Sequence, residues 1–282
     1  TFTVKAYDED NAVLGAAIAN QLPGPPVCLY LIGPPGSGKT ELLNGLEGYH
    51  RTYHPSKITP NTLMSGYVEK GDNKNAKGRN DHSLLVRLTE QGKNILVFKD
   101  FTTILTMPHE SRQVIIGQFR EIADGRYVGD SGFGKEGNVI WRGKMAIMAG
   151  VTNAIDELGS VNSILGERFL CFRMHGEPLD EVYGRVLEST VDLDAMHRDF
   201  EAVIHDYMVP FDLNCTEVPL EPGISERLKH LAAFISHTRT GITRNFKDEV
   251  VTPPEREGFG RISRQLYIYG SGIALARGVD TI

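Results

Sequence analysis

Eight consecutive residues, Gly33-Pro34-Pro35-Gly36-Ser37-Gly38-Lys39-Thr40, have the types and spacing of G-x-x-x-x-G-K-[ST]. The chemistry open to such a run is holding a polyphosphate. Its glycines let the backbone approach an anion closely and take positive φ. Successive backbone N–H groups then converge on the phosphates, and a helix starting there adds its dipole. Lys39 is spaced to reach the β- and γ-phosphates, and the Thr40 hydroxyl to bind Mg²⁺. Gly33, Pro34, Pro35, Gly36, Ser37, Gly38, Lys39 and Thr40 are therefore the expected ATP-binding residues.

Other residues can join that chemistry. Asn94-Ile95-Leu96-Val97-Phe98-Lys99-Asp100 is an apolar run ending in a carboxylate, about 60 residues beyond the loop. Ligands of open α/β sheets bind at the carboxyl ends of strands, so Asp100 is expected to hold Mg²⁺ directly or through water. A later apolar run ends in Gly150-Val151-Thr152-Asn153. Asn153 or Thr152 there can position an attacking water or touch the γ-phosphate. Arg168, in Gly166-Glu167-Arg168-Phe169, precedes a third apolar run. An exposed arginine there can stabilise charge on a phosphate of a neighbouring subunit. A surface ion pair, worth little, is an equal alternative. Arg261 or Arg264, near the start of a late helix, can fold back onto the nucleotide.

These groups need a scaffold. Val27 to Ile32 is continuously apolar, as in a strand buried on both faces. Thr40 to Leu46 reads as the helix after the loop. Asp10 is a plausible N-cap for a helix over Asn11 to Gln21, with Val13, Leu14, Ala17, Ile18 and Leu22 on one face. Further strands are expected within His50–Ile58 and over Lys144–Val151. Helices are expected over Leu84–Gln91 and Glu110–Ala123, and the polar stretch Glu69 to His82 reads as a mobile loop. Tyr127 to Trp141, rich in glycine between bulky ends, predicts a hairpin protruding from the sheet. After Pro178 the pattern becomes helical, with Leu187–Tyr207, Ile224–Thr238 and a helix from Gly260 to about Ala276. The expected fold is α/β, a three-layer α/β/α parallel sheet over residues 1–177, followed by a smaller α-helical lid over 178–282.

The chain has 282 residues, is 40% hydrophobic and 23% charged, and carries a net charge of −6. That is ordinary for a globular protein, and it argues against a uniformly nucleic-acid-coating surface while leaving room for a local basic groove. Cys28, Cys171 and Cys215 are odd in number and not in metal spacing. They point to a reducing, cytoplasmic compartment. No run reaches membrane-spanning length.

Taken in order, the motifs resemble those of the AAA+ ATPases. The matching pieces are the phosphate loop, the Asp100 strand, the polar strand end at Thr152-Asn153 (sensor 1), Arg168 at the arginine-finger position and Arg261 in a helical lid (sensor 2). The resemblance implies Mg-ATP hydrolysis, with Lys39, Asp100, Asn153, Arg168 and Arg261 as catalytic residues and Thr40 and Asp100 as metal ligands. It also implies assembly into a ring or filament. The expected hairpin resembles the presensor-1 hairpin of the branch containing minichromosome-maintenance helicases. Arg126, Lys135, Arg142 and Lys144 lie in or beside it, so the branch implies action on DNA. A weaker likeness, Gly66-Tyr67-Val68, is similar to the pore loop of protein-unfolding rings and leaves a protein partner as the alternative. A monomeric phosphate-loop kinase is a third. The chain departs from the family at Phe101, where a water-activating Glu usually follows the Asp. Glu69, Glu110 or a neighbouring subunit would have to supply the base, or turnover would be slow.

Overall fold

The computed structural model describes residues 8–63, 83–129, 139–156, 168–174, 192–212, 216, 218–239, 245, 247, 249–250, 258–279 and 282. Among the described residues, five strands form a parallel sheet. They are β1 (Cys28–Ile32), β2 (Thr52–Tyr53), β3 (Ile95–Phe98), β6 (Ala146–Val151) and β7 (Phe169–Arg173), in the order β2-β3-β6-β1-β7. β4 (Arg126–Gly129) and β5 (Val139–Arg142) form a separate antiparallel pair, with Arg126 opposite Arg142.

The apolar runs are continuous because both sheet faces are covered. Alternation along each strand divides them. Cys28, Tyr30, Ile32, Leu96, Phe98, Ile147, Ala149 and Val151 face one core. That core is closed by α3 (Leu84–Glu90), the single turn α4 (Thr102–Leu105) and α5 (His109–Ala123). Leu29, Leu31, Ile95, Val97, Ala146 and Met148 face the other. It is closed by α1 (Asp8–Ala19), α2 (Lys39–Asn44), α6 (Leu193–Met208) and α8 (Gly260–Ala276), while α7 (Ile224–Arg239) packs on α8. The result is a three-layer α/β/α arrangement of the broad phosphate-loop or Rossmann-like architecture.

One strand is shorter than the sequence expectation. The strand within His50–Ile58 is only Thr52–Tyr53, because Pro55 follows and cannot donate to a ladder. Two of the late helices also reach the main core: Ile204 and Met208 of α6 and Ile268 of α8 pack into it. α8 crosses α1 so closely that a Cβ on Gly272 would lie 2.0 Å from the Gly15 carbonyl oxygen. Tyr269 also donates to the Ala12 carbonyl at 3.3 Å. This is why α1 is buried well beyond the single stripe its spacing suggested, at Ala12, Val13 and Ala16 through Ala19. Gly66-Tyr67-Val68, Glu69 and Lys135 lie outside the described residues. Among the described residues, no helix is long and apolar enough to cross a membrane.

Candidate functional site

β1 delivers the loop to the carboxyl end of the sheet. Its last residue, Ile32, is followed by Gly33, whose N–H donates to the Val151 carbonyl at 3.1 Å. The loop then turns through Gly36 at φ 77° and Gly38 at φ 82°, left-handed values that glycine takes without a Cβ penalty. α2 begins immediately at Lys39. Pro34, Pro35, Gly36, Gly38 and Thr40 are exposed, Ser37 is half-buried, and Gly33 and Lys39 are buried.

The Lys39 ammonium folds into the loop. It donates to the Gly33 carbonyl at 2.8 Å, the Pro34 carbonyl at 2.6 Å and Ser37 Oγ at 3.1 Å. Its three protons thus meet oxygens of the loop itself, and a bound polyphosphate would compete for the same protons. Burial lowers the Lys39 pKa and the Asp100 charge opposes that shift, so the two groups act on one another electrostatically.

β6 lies between β1 and β3 and sets their spacing. Asp100 follows β3 and is exposed. Its Oδ1 accepts from the Thr102 N–H at 2.8 Å, which fixes the carboxylate at the start of α4. Thr152 and Asn153 follow β6, with Asn153 exposed at the head of a short 3-10 turn. The structure therefore brings Gly33–Thr40, Asp100 and Asn153 to one end of the sheet, and Thr40 and Asp100 are the residues there that could hold a metal ion. Among the described residues, no group of three or more His, Cys, Asp or Glu side chains forms a metal cluster.

Phe101 belongs to the core. It is fully buried, with ring centroids 5.2 Å from Tyr30, 6.0 Å from Phe98 and 5.9 Å from Phe119. Its N–H donates to the Gly150 carbonyl at 2.9 Å. The position after Asp100 thus points away from solvent and anchors the strand end.

Arg168 and Arg261 lie elsewhere. Arg168 sits at the start of β7, while the other end of that strand reaches the loop: a Cβ on Gly33 would lie 3.4 Å from Met174 Cβ. At about 3.3 Å per residue, Arg168 is about 20 Å from the phosphate loop along the sheet. It forms a two-pronged pair with Asp124, Nε to Oδ1 at 3.1 Å and Nη2 to Oδ2 at 2.6 Å. Arg261 Nη1 reaches the same Oδ1 at 2.9 Å, and Gln265 Nε2 donates to the Arg168 carbonyl at 3.1 Å. With Gly24, Gly125 and Lys144 they line a cleft of about 310 Å³ at the amino end of the sheet. Arg261 is not folded back onto the phosphate loop of its own chain; its partner, Asp124, ends α5 at the opposite edge.

Sequence reasoning gave Gly150 no role beyond marking a strand end. A Cβ there would lie 2.8 Å from the Lys99 carbonyl oxygen, 3.4 Å from Leu43 Cδ1 and 3.6 Å from Lys39 Cβ. Its missing side chain lets the Asp100 strand and the Lys39 stem come together. The available signal was a glycine inside an apolar strand, which marks a close backbone approach. No protein-family model matches this sequence, and a search of curated proteins finds no significant relative.

Proposed function

We propose that this chain binds Mg-ATP at Gly33–Thr40 and hydrolyses it, as an AAA+-type ATPase. The supporting observation is the buried Lys39 ammonium, held inside a left-handed glycine loop and under the electrostatic influence of Asp100, which follows the strand two places away in the sheet. In this reading Lys39 exchanges its loop oxygens for β- and γ-phosphate oxygens. Thr40 and Asp100 hold Mg²⁺, and Asn153 meets the γ-phosphate or the water that attacks it. Phe101 is locked in the core where a water-activating acid would otherwise stand, so the base must come from another residue.

The reading extends to ATP-dependent self-assembly and to action on DNA. Support comes from the order of motifs along the chain and from the β4–β5 hairpin, which carries exposed Arg126 and Arg142. A trans role for Arg168 requires that it leave Asp124 when subunits meet. Residues 178–282 are in this reading a lid that moves with nucleotide.

Binding of a fluorescent ATP analogue, with and without Mg²⁺, tests the core of the reading. Lys39→Ala should abolish binding, and Asp100→Asn should lose affinity only when Mg²⁺ is present. Wild-type affinity in Lys39→Ala would refute the site. Mass in solution with and without ATP and DNA tests the extension, and a monomer under every condition would remove it.

A further inference from the structure

His54 directly follows β2 and, with Glu47, Lys57, Lys99, Asp100 and Thr103, lines a cleft of about 310 Å³. β2 is the parallel neighbour of β3, with Tyr53 level with Leu96. His54 therefore emerges one strand spacing, about 4.8 Å, to the side of the strand that carries Asp100. The cleft joins the two strand ends.

Neither ring nitrogen of His54 makes a well-formed hydrogen bond, and both are covered from solvent. The Leu46 carbonyl lies close enough to act on one ring nitrogen while it also accepts from Thr52 Oγ1 at 2.7 Å, which leaves the other nitrogen without a partner. Buried polar atoms in folded proteins are nearly always paired, and an exception calls for an explanation. The imidazole is also held in its proton-accepting form. Burial lowers its pKa; Glu47 opposes this, while Lys99 and Lys93 reinforce it. The other charged groups lining the cleft are Lys57 and Asp100.

We propose that His54 turns into this cleft and takes the proton from the water that attacks the terminal phosphate, the task that Phe101 cannot perform. This inference rests on the Mg-ATP reading. The water oxygen bonds to the γ-phosphorus as the bond to the β–γ bridging oxygen breaks, and the electron pair leaves with ADP. The water's proton passes to a His54 ring nitrogen and then to solvent. Glu47, held at 2.9 Å by Lys99, faces the imidazolium so formed. Turning into the cleft would also give the second ring nitrogen the hydrogen-bond partner it lacks.

The test is single-turnover hydrolysis of Mg-ATP by the full chain, with ATP affinity measured on the same samples. His54→Ala and His54→Gln should bind ATP within about twofold of wild type and hydrolyse it about 10²–10⁴-fold more slowly. Glutamine keeps a hydrogen-bonding tip but cannot take the proton, so it should not rescue. Added imidazole should restore part of the His54→Ala rate and leave His54→Gln unchanged. Wild-type rates in both variants would overturn the inference. So would a parallel fall in affinity and rate without imidazole rescue, which marks a structural histidine. If wild type binds ATP no better than Lys39→Ala, the Mg-ATP reading itself fails and this inference with it.

Discussion

Replacing Gly150 by alanine tests how the phosphate loop and the Asp100 strand are spaced. The new methyl carbon would start 2.8 Å from the Lys99 carbonyl oxygen, short of ordinary contact by about 0.6 Å. Leu43 Cδ1 at 3.4 Å can move aside, since it ends a flexible side chain. The Lys99 carbonyl is backbone, and it sits between β3 and Asp100. Relief must therefore come from a shift of the β3 end, which carries the carboxylate away from Lys39. Overpacking of this kind costs about 1–3 kcal/mol, or a fall in Tm of about 2–12 °C for a chain of this size. Thermal unfolding measures the first effect, and Mg²⁺-dependent nucleotide affinity the second. Gly117 in α5 is the control, because a Cβ there meets nothing within 4 Å. Gly117→Ala should be neutral, or stabilise the helix by about 0.5–1 kcal/mol. A Gly150→Ala protein with wild-type Tm and wild-type Mg²⁺ dependence would refute the argument.

Five further outcomes are expected. Asp124→Asn should cost about 2–3 kcal/mol in urea unfolding, because Arg168, with only 10% of its side chain exposed, loses a charge-assisted pair. Arg261→Ala, at a side chain 42% exposed, should cost under about 1 kcal/mol, and equal losses would contradict the geometry. Phe101→Glu should cost about 3–5 kcal/mol by placing a carboxylate among Tyr30, Phe98 and Phe119; a folded variant that hydrolyses ATP faster would show that the position can reach the site. Iodoacetamide should label exposed Cys171 in the native protein and reach Cys28 only after unfolding, as read by peptide mass spectrometry. Burial pushes the Cys28 thiol up to about 12. Its folded form therefore binds a proton that the unfolded thiol releases near pH 9, and stability should fall as pH rises from about 9 towards 12.

Local patterns carried far. The apolar runs at Val27–Ile32, Asn94–Asp100 and Lys144–Val151 each became a core strand, because a strand covered on both faces leaves an unbroken hydrophobic signature. The glycine-rich run from Gly129 to Gly137 flags the hairpin arms, which pair as β4 and β5. The missing information was about distance in space. Asp124 reads as a helix-ending residue, and nothing local says that Arg168 and Arg261, 44 and 137 residues away, both end on it. Motif order aligned Arg261 with the nucleotide of its own chain, while the course of α8 set it beside Asp124 at the far edge of the sheet. The His54 cleft was equally hidden, since it exists only once β2 is laid beside β3.

The Gly15–Gly272 crossing also bears on how the protein is made. The Tyr269–Ala12 hydrogen bond joins residues 257 apart in sequence. At ordinary synthesis rates of 5–20 residues per second, α1 leaves the ribosome roughly 13–50 s before α8 exists to cover it. Until then the sheet can shield only one side of α1, and the alanine-lined face meant for α8 stays open. The last native contacts are therefore among the longest-range ones, a topology that slows folding and lengthens exposure to aggregation. A chain stopped before Gly260 would hold its phosphate loop and Asp100 in sequence, yet keep that nascent surface permanently uncovered.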